Sequence, residues 1–110
     1  MENMKEIVDK LYFCAAQCER CHYACHRETN KAPLERSMML GQDCTELCRL
    51  TAHVLERNSE NSELFLRLCA EICIKCAEEC ETHPDMEHCK KCAEACRATA
   101  EMCNTQPAAR

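Results

Sequence analysis

Cysteine spacing constrains this chain more than any other feature. The stretch CAAQCERCHYAC, Cys14 to Cys25, holds four thiols at steps of four, three and four. The same CxxxCxxCxxxC spacing returns at Cys69, Cys73, Cys76 and Cys80. Alternating steps of three and four bring residues back to one side of an α-helix, so each run lines a helix face with sulfur. Neither run contains Gly or Pro.

The rest of the chain supports helices. Glu, Lys, Arg, Ala, Leu and Met dominate, and the 110 residues include one Gly and three Pro. Helix breakers gather at three places. Asn30 to Pro33 offers Pro33 as a first helical residue. Arg57 to Ser62 is a cluster of helix N-cap residues. Thr82 to Asp85 again offers Pro84 at a helix start, with acids in the first turn. These breaks leave four segments, about 3–28, 33–57, 60–82 and 84–104. Short connections between long helices make neighbours antiparallel. The expected fold is all-α: an up-down-up-down four-helix bundle over residues 1–104, followed by a flexible tail over 105–110.

The inward seams follow from the three-four rhythm. Segment one gives Met4, Ile7, Leu11, Cys14, Cys18, Cys21 and Cys25. Segment two gives Ser37, Gly41, Cys44, Cys48, Thr51 and Leu55. Segment three gives Leu66, Cys69, Cys73, Cys76 and Cys80, and segment four Cys89, Cys92, Cys96, Thr99 and Cys103. All fourteen cysteines thus fall on inward seams. Alanines at 15, 24, 70, 77, 93 and 95 flank them and allow close helix approach.

Fourteen core thiols need a reason. Free Cys is a small buried hydrophobe, but Leu at the same positions buries more apolar surface, at roughly 25 cal/mol per Å². Disulfides within one helix fit poorly, because Cβ atoms four residues apart lie ~5–6 Å from each other and a bridge wants ~3.5–4.5 Å. Bridges between helices remain an alternative: a disulfide-stapled helical module. Metal suits the spacing better. Two sulfurs on opposite sides of one ion, each at ~2.3 Å, stand ~4–5 Å apart, which a CxxxC pair on a helix supplies. Such pairs occur at Cys14/Cys18, Cys21/Cys25, Cys44/Cys48, Cys69/Cys73, Cys76/Cys80 and Cys92/Cys96, with Cys89 and Cys103 extending the fourth seam.

Soft thiolates select Cu(I), zinc or iron–sulfur clusters. Structural zinc favours CxxC knuckles on turns, and ferredoxin clusters favour loop-borne runs such as CxxCxxC; here the thiols form a continuous tube with no Gly-bearing knuckles, and the chain has no CxxCxxC run. Cu(I) accepts two or three thiolates and gains most from shielding against water and oxygen. The alternatives are an iron–sulfur or dithiol redox protein, and a zinc-binding module.

CxxxC pairs facing into a four-helix bundle resemble the bacterial copper storage proteins, cysteine-rich four-helix bundles that bind copper. The resemblance runs from Cys14 to Cys103 and rests on the repeated CxxxCxxCxxxC. It implies many Cu(I) ions per chain, bridged by CxxxC thiolates, a storage role rather than an enzymatic one, and a tetrameric assembly. The chain departs from the pattern in segment two, which has a single CxxxC between Gly41 and Thr51.

Four histidines fall at one end of such a bundle. His22, His26, His83 and His88 gather there with Met38, Met39 and Met86, a candidate vestibule that hands Cu(I) to the thiols. The resemblance implies the same kind of mouth. His22, beside the seam, and His88 are its best candidates; His53 maps to the outer face of segment two. Tyr12, Phe13, Ala16 and Tyr23 fall away from the seam of segment one and form a candidate oligomer contact.

Charge and the N-terminus narrow the setting. A net charge of −5 disfavours nucleic acid and anionic membranes as partners. The opening MENMKEIVDKLYF has no apolar run of signal-peptide length and no twin arginine. No stretch is apolar enough to span a bilayer. The expected setting is the cytoplasm, where thiols stay reduced unless metal takes them.

Overall fold

The computed structural model describes residues 3–106. Four helices follow in chain order: α1 (Met4–His26), α2 (Glu35–Glu56), α3 (Ser62–Cys80) and α4 (Glu87–Thr105), with a 3-10 turn at Ala32–Leu34 before α2. Each packs on its two neighbours in an antiparallel ring, α1 on α2, α2 on α3, α3 on α4 and α4 back on α1. The bundle is a rod of 46 × 19 × 19 Å. Among the described residues there is no strand, and no helix is long and apolar enough to cross a membrane.

Local chemistry sets the helix ends. Asn3 caps α1: its Oδ1 accepts from the Glu6 N–H at 2.9 Å, and the Glu6 carboxylate accepts from the Asn3 N–H at 3.3 Å. Pro33 sits in the 3-10 turn that leads into α2, close to the expected helix start. The breaker cluster at 57–62 works differently from expectation. Its main device terminates α2 rather than starting α3. Asn58 takes φ 53°, its N–H donates to the Leu55 carbonyl, and the Ser59 N–H donates to the Val54 carbonyl, the six-to-one and five-to-two bonds of a Schellman cap. Asn61, the N-cap of α3, makes no side-chain cap bond.

The third break also differs. Pro84 does not open α4, which begins three residues later at Glu87. The Met86 N–H donates to the His83 carbonyl at 3.1 Å, so Pro84 occupies the second position of a tight turn, where its fixed φ is favourable. At the other end α4 takes in Thr105, expected to fray, and Gln106 follows it. The remainder of the predicted tail, 107–110, lies outside the described residues.

The core runs the length of the rod. At the end holding the start of α1 it is conventional, with Ile7, Leu11, Leu55, Leu66 and Met102 buried. Met4 was expected in this seam but is 44% exposed; it lies in the first turn of α1, beyond the layer where Ile7 and Val8 become buried. Past Leu11 the interior is sulfur. All fourteen cysteines are buried, none more than 5% exposed. Gly41, buried on α2 at the α1 interface, has the Cys18 carbonyl oxygen 3.6 Å from where a Cβ would stand.

Candidate metal centre

The four-three spacing turns every cysteine inward, and the antiparallel ring brings four such faces together. The result is a continuous array of free thiols. Its closest sulfur pairs join different helices. Cys18 Sγ lies 3.5 Å from both Cys96 Sγ and Cys92 Sγ. Cys44 lies 3.6 Å from Cys73 and 3.7 Å from Cys96, and Cys48 lies 3.7 Å from Cys69. Pairs within one helix are slightly wider: 3.9 Å for Cys44–Cys48 and 4.0 Å for Cys69–Cys73. These distances far exceed the ~2.05 Å of a disulfide. They match sulfurs sharing one ion at ~2.3 Å in trigonal or tetrahedral array, which stand ~3.8–4.0 Å apart.

The thiols form five overlapping groups whose ligand atoms all lie within 4.8 Å of one another: Cys14/Cys18/Cys44/Cys96, Cys14/Cys44/Cys48/Cys73, Cys18/Cys76/Cys92/Cys96, Cys21/Cys80/Cys92 and Cys21/Cys25/His88/Cys89. Shared members make the groups a ladder rather than separate sites. Cys69 continues it beyond Cys48 and Cys73, and Cys103 interacts with Cys69 at that end. The CxxxC pairs are therefore parts of cross-helix sites. One pair separates: Cys76 joins Cys18, Cys92 and Cys96, whereas Cys80 joins Cys21 and Cys92.

Electrostatics divide the array into thiols that hold their protons and a few that give them up. Burial, foremost, pushes the Cys25 thiol up to about 12, with the charge of Cys89 adding to it. Cys89 goes the other way, to about 3, because Cys21 and Cys80 donate to it. Along the ladder, Cys44 and Cys92 are lowered by the thiols that donate to them, Cys14 and Cys18 first. Cys18 and Cys96 are raised as the donors, each against Cys14 first. Neighbouring thiols thus stabilise a few thiolates at the cost of the rest. Fourteen negative charges require cations in the core.

His88 completes the ladder at the α1–α2 loop end. Its Nδ1 stands 3.4 Å from Cys21 Sγ, 3.6 Å from Cys89 Sγ and 3.9 Å from Cys25 Sγ. Its Nε2 stands 3.2 Å from a Glu28 carboxylate oxygen. With the Nε2 proton donated to Glu28, Nδ1 turns a lone pair toward three thiols. A carboxylate orienting a histidine in this way is the usual second layer of a metal site. Glu28 was not foreseen in the sequence; its only signal was a carboxylate just past the end of α1.

The other histidine candidates join none of the sulfur groups. His22 Nδ1 bonds to the Met38 carbonyl oxygen at 3.3 Å, and its ring packs edge-on against His26, centroids 4.7 Å apart. His22 therefore does not share the role of His88 at the thiols. His83 faces Glu79 at 3.5 Å. Met38 is buried, Met86 is half-buried against the core, and Met39 is 65% exposed. His53 is exposed, as expected, with its ring near Tyr12. Tyr12 leaves the expected surface strip: it packs on the core and donates to Glu56 at 3.0 Å. Phe13 and Tyr23 stay more than half exposed.

The four-helix fold is shared with known proteins. The profile of the family described as Csp, copper storage protein, matches residues 1–108. The chain belongs to the copper storage protein family. It is 33% identical over 95 residues to the uncharacterized cysteine-rich protein YhjQ of Bacillus subtilis (strain 168), covering 86% of this chain and 87% of that one. It superposes on the Cu(I)-bound copper storage protein BsCsp3 with a TM-score of 0.88 and 29% identity, covering 96% and 97% of the two chains. A cytosolic copper storage protein from Streptomyces lividans, loaded with five coppers, gives a TM-score of 0.87 at 35% identity over 92% of this chain and 88% of that one. The fold is thus shared with both structures, and the Bacillus subtilis relative is likewise described as cysteine-rich.

Proposed function

We propose that this protein stores Cu(I) in the cytoplasm, holding many ions per chain on the fourteen core cysteines. The observation that carries this reading is the ladder of overlapping sulfur groups. Ions in adjacent groups share thiolates, so each added ion builds on the last. Soft, low-coordinate Cu(I) suits that arrangement, and the resemblance to the Cu(I)-bound BsCsp3 and to the cytosolic Streptomyces protein supports it. The role is storage rather than catalysis. Each ion displaces protons from thiols, so affinity falls as pH falls.

Copper reaches the ladder from the end where His88, held by Glu28, meets Cys21, Cys25 and Cys89. The opposite end is closed by Ile7, Leu11, Leu55, Leu66 and Met102. His26, His83, Met38, Met39 and Met86 surround the open end and serve as outer, weaker ligands, whereas the His22 ring is held by the Met38 carbonyl. The assembly is a tetramer. Symmetric tetramers of dihedral type need two self-complementary surfaces; of the large apolar side chains exposed on α1, α2 and α3, Phe13 and Tyr23 on α1 and Leu64 and Leu68 on α3 are the candidates.

Competition between metals tests the reading against zinc. Reduced metal-free protein is mixed anaerobically with equal, excess amounts of Cu(I) and Zn²⁺, desalted, and analysed for both metals. Retention of many copper ions and almost no zinc is expected. Zinc retained at a comparable level would overturn the assignment.

A further inference from the structure

The seam between α1 and α4 is the loosest of the four. On its outer side, near the open end, lies a cavity of about 620 Å³. Its base reaches two members of the ladder, Cys21 and His88. Its walls carry three exposed cations, Arg20 and Arg27 from α1 and Lys91 from α4. None of the three is ion-paired to a described residue. One carboxylate, Glu87, lines the same cavity, and nearby Glu28 is engaged by His88. A concentration of unpaired positive charge over a thiol site is notable on a chain with net charge −5.

We propose that this groove docks a small, carboxylate-bearing thiol that carries Cu(I), and that copper passes from it sideways to Cys21. The proposal rests on the storage reading and names the chemical class of the copper donor. A soft ion in a reducing aqueous medium travels on a soft ligand, and a thiolate is the natural one. The unpaired guanidinium and ammonium groups add recognition of carboxylates. The volume fits a small molecule, within the usual ~300–1,000 Å³ of such sites. Its nine lining residues are far fewer than the ~20–30 a side that a protein partner engages. The transfer is a ligand exchange. The bond from copper to the carrier sulfur breaks, the bond from copper to Cys21 Sγ forms, and the Cys21 proton leaves on the carrier as a neutral thiol. Copper stays in the +1 state throughout.

The test compares donors of different charge at low ionic strength, using the full chain in its native assembly. Anaerobic uptake rates are measured from Cu(I)–mercaptosuccinate, which carries two carboxylates, and from Cu(I)–2-mercaptoethanol, which carries none. The variant is Arg20→Gln, Arg27→Gln and Lys91→Gln combined. From mercaptosuccinate the variant loads roughly tenfold more slowly than the wild type, the low end of rate effects from charge steering. From 2-mercaptoethanol the two proteins load at the same rate, and final copper content is the same with either donor. Equal rates from both donors, as a groove covered in the assembly would give, overturn the proposal; so does equal slowing with both. A second measurement needs no variant: the advantage of mercaptosuccinate over 2-mercaptoethanol for the wild type shrinks as salt is raised, and an advantage independent of salt counts against the groove. Failure of the storage reading looks different. The wild type then retains copper from neither donor, and the proposal falls with it.

Discussion

At the residue scale, His88 is the proposed point at which copper first meets the thiols. One ring nitrogen meets Glu28 and the other meets three thiols. Histidine donates to Cu(I) more weakly than thiolate does, so it suits transfer rather than retention. His88→Ala is expected to slow Cu(I) loading severalfold and to leave the final copper content nearly unchanged. His22→Ala should change neither, because its Nδ1 is occupied by the Met38 carbonyl. Stopped-flow uptake of both variants checks this; equal slowing by the two would contradict it. The cysteines were legible in the sequence because sulfur spacing alone assigns them to one helix face. The choice of His88 over His22 was not. It depends on which side chain from α4 reaches across to α1, and on Glu28, sixty residues away in sequence from its partner.

At the element scale, small residues govern how closely the helices approach. Gly41 stands on α2 where Cys44 and Thr45 meet α1, and Thr45 Oγ1 donates to the Gly41 carbonyl at 2.8 Å. Its φ is not in the left-handed region, and an added Cβ meets the Cys18 carbonyl oxygen at an ordinary contact distance of 3.6 Å. Nothing there requires glycine. Gly41→Ala should therefore raise stability by about 0.5–1 kcal/mol through reduced backbone freedom in the unfolded chain. Urea denaturation of the metal-free protein measures it, and a lower midpoint in the variant would show that the interface is tighter than its geometry. The helices themselves were legible from their breakers and their periodicity. Their ends were less so. Asn58 serves as a left-handed cap for α2, and Pro84 serves in a turn, because the bonds that decide both roles reach back into the preceding segment.

At the scale of the whole molecule, the storage reading predicts a container that is folded before copper arrives. Four amphipathic helices with Leu, Ile, Val and Met at one end bury a core without metal, unlike small domains that fold only on metal binding. The thiol array then sets how the empty container responds to pH. Cys25 has an ordinary value of 9.0 and is pushed up to about 12 in the fold. The folded state holds this proton more tightly than the unfolded one. Its contribution to stability is therefore complete below about 9 and lost as pH rises toward about 12. The urea midpoint of the reduced, metal-free protein should hold up to that lower limit and fall above it, with a shallower fall in Cys25→Ser. A midpoint unchanged through this window would contradict the assignment. The cross-helix composition of the sulfur groups belongs to this scale too. The sequence showed CxxxC pairs helix by helix, but only the packing register decides that Cys76 and Cys80 join different groups.

Copper capacity is what separates a storage protein from a thiol-rich redox or zinc protein. The most direct measurement is an anaerobic titration of the fully reduced, metal-free protein with Cu(I) in the presence of a colorimetric Cu(I) chelator. The chelator should stay colourless while copper enters the ladder, until the added ions approach, or fall somewhat short of, one for each of the fourteen thiols. Colour from the first addition, or protection of only one or two ions, would mean that the thiol core was built for something other than copper storage.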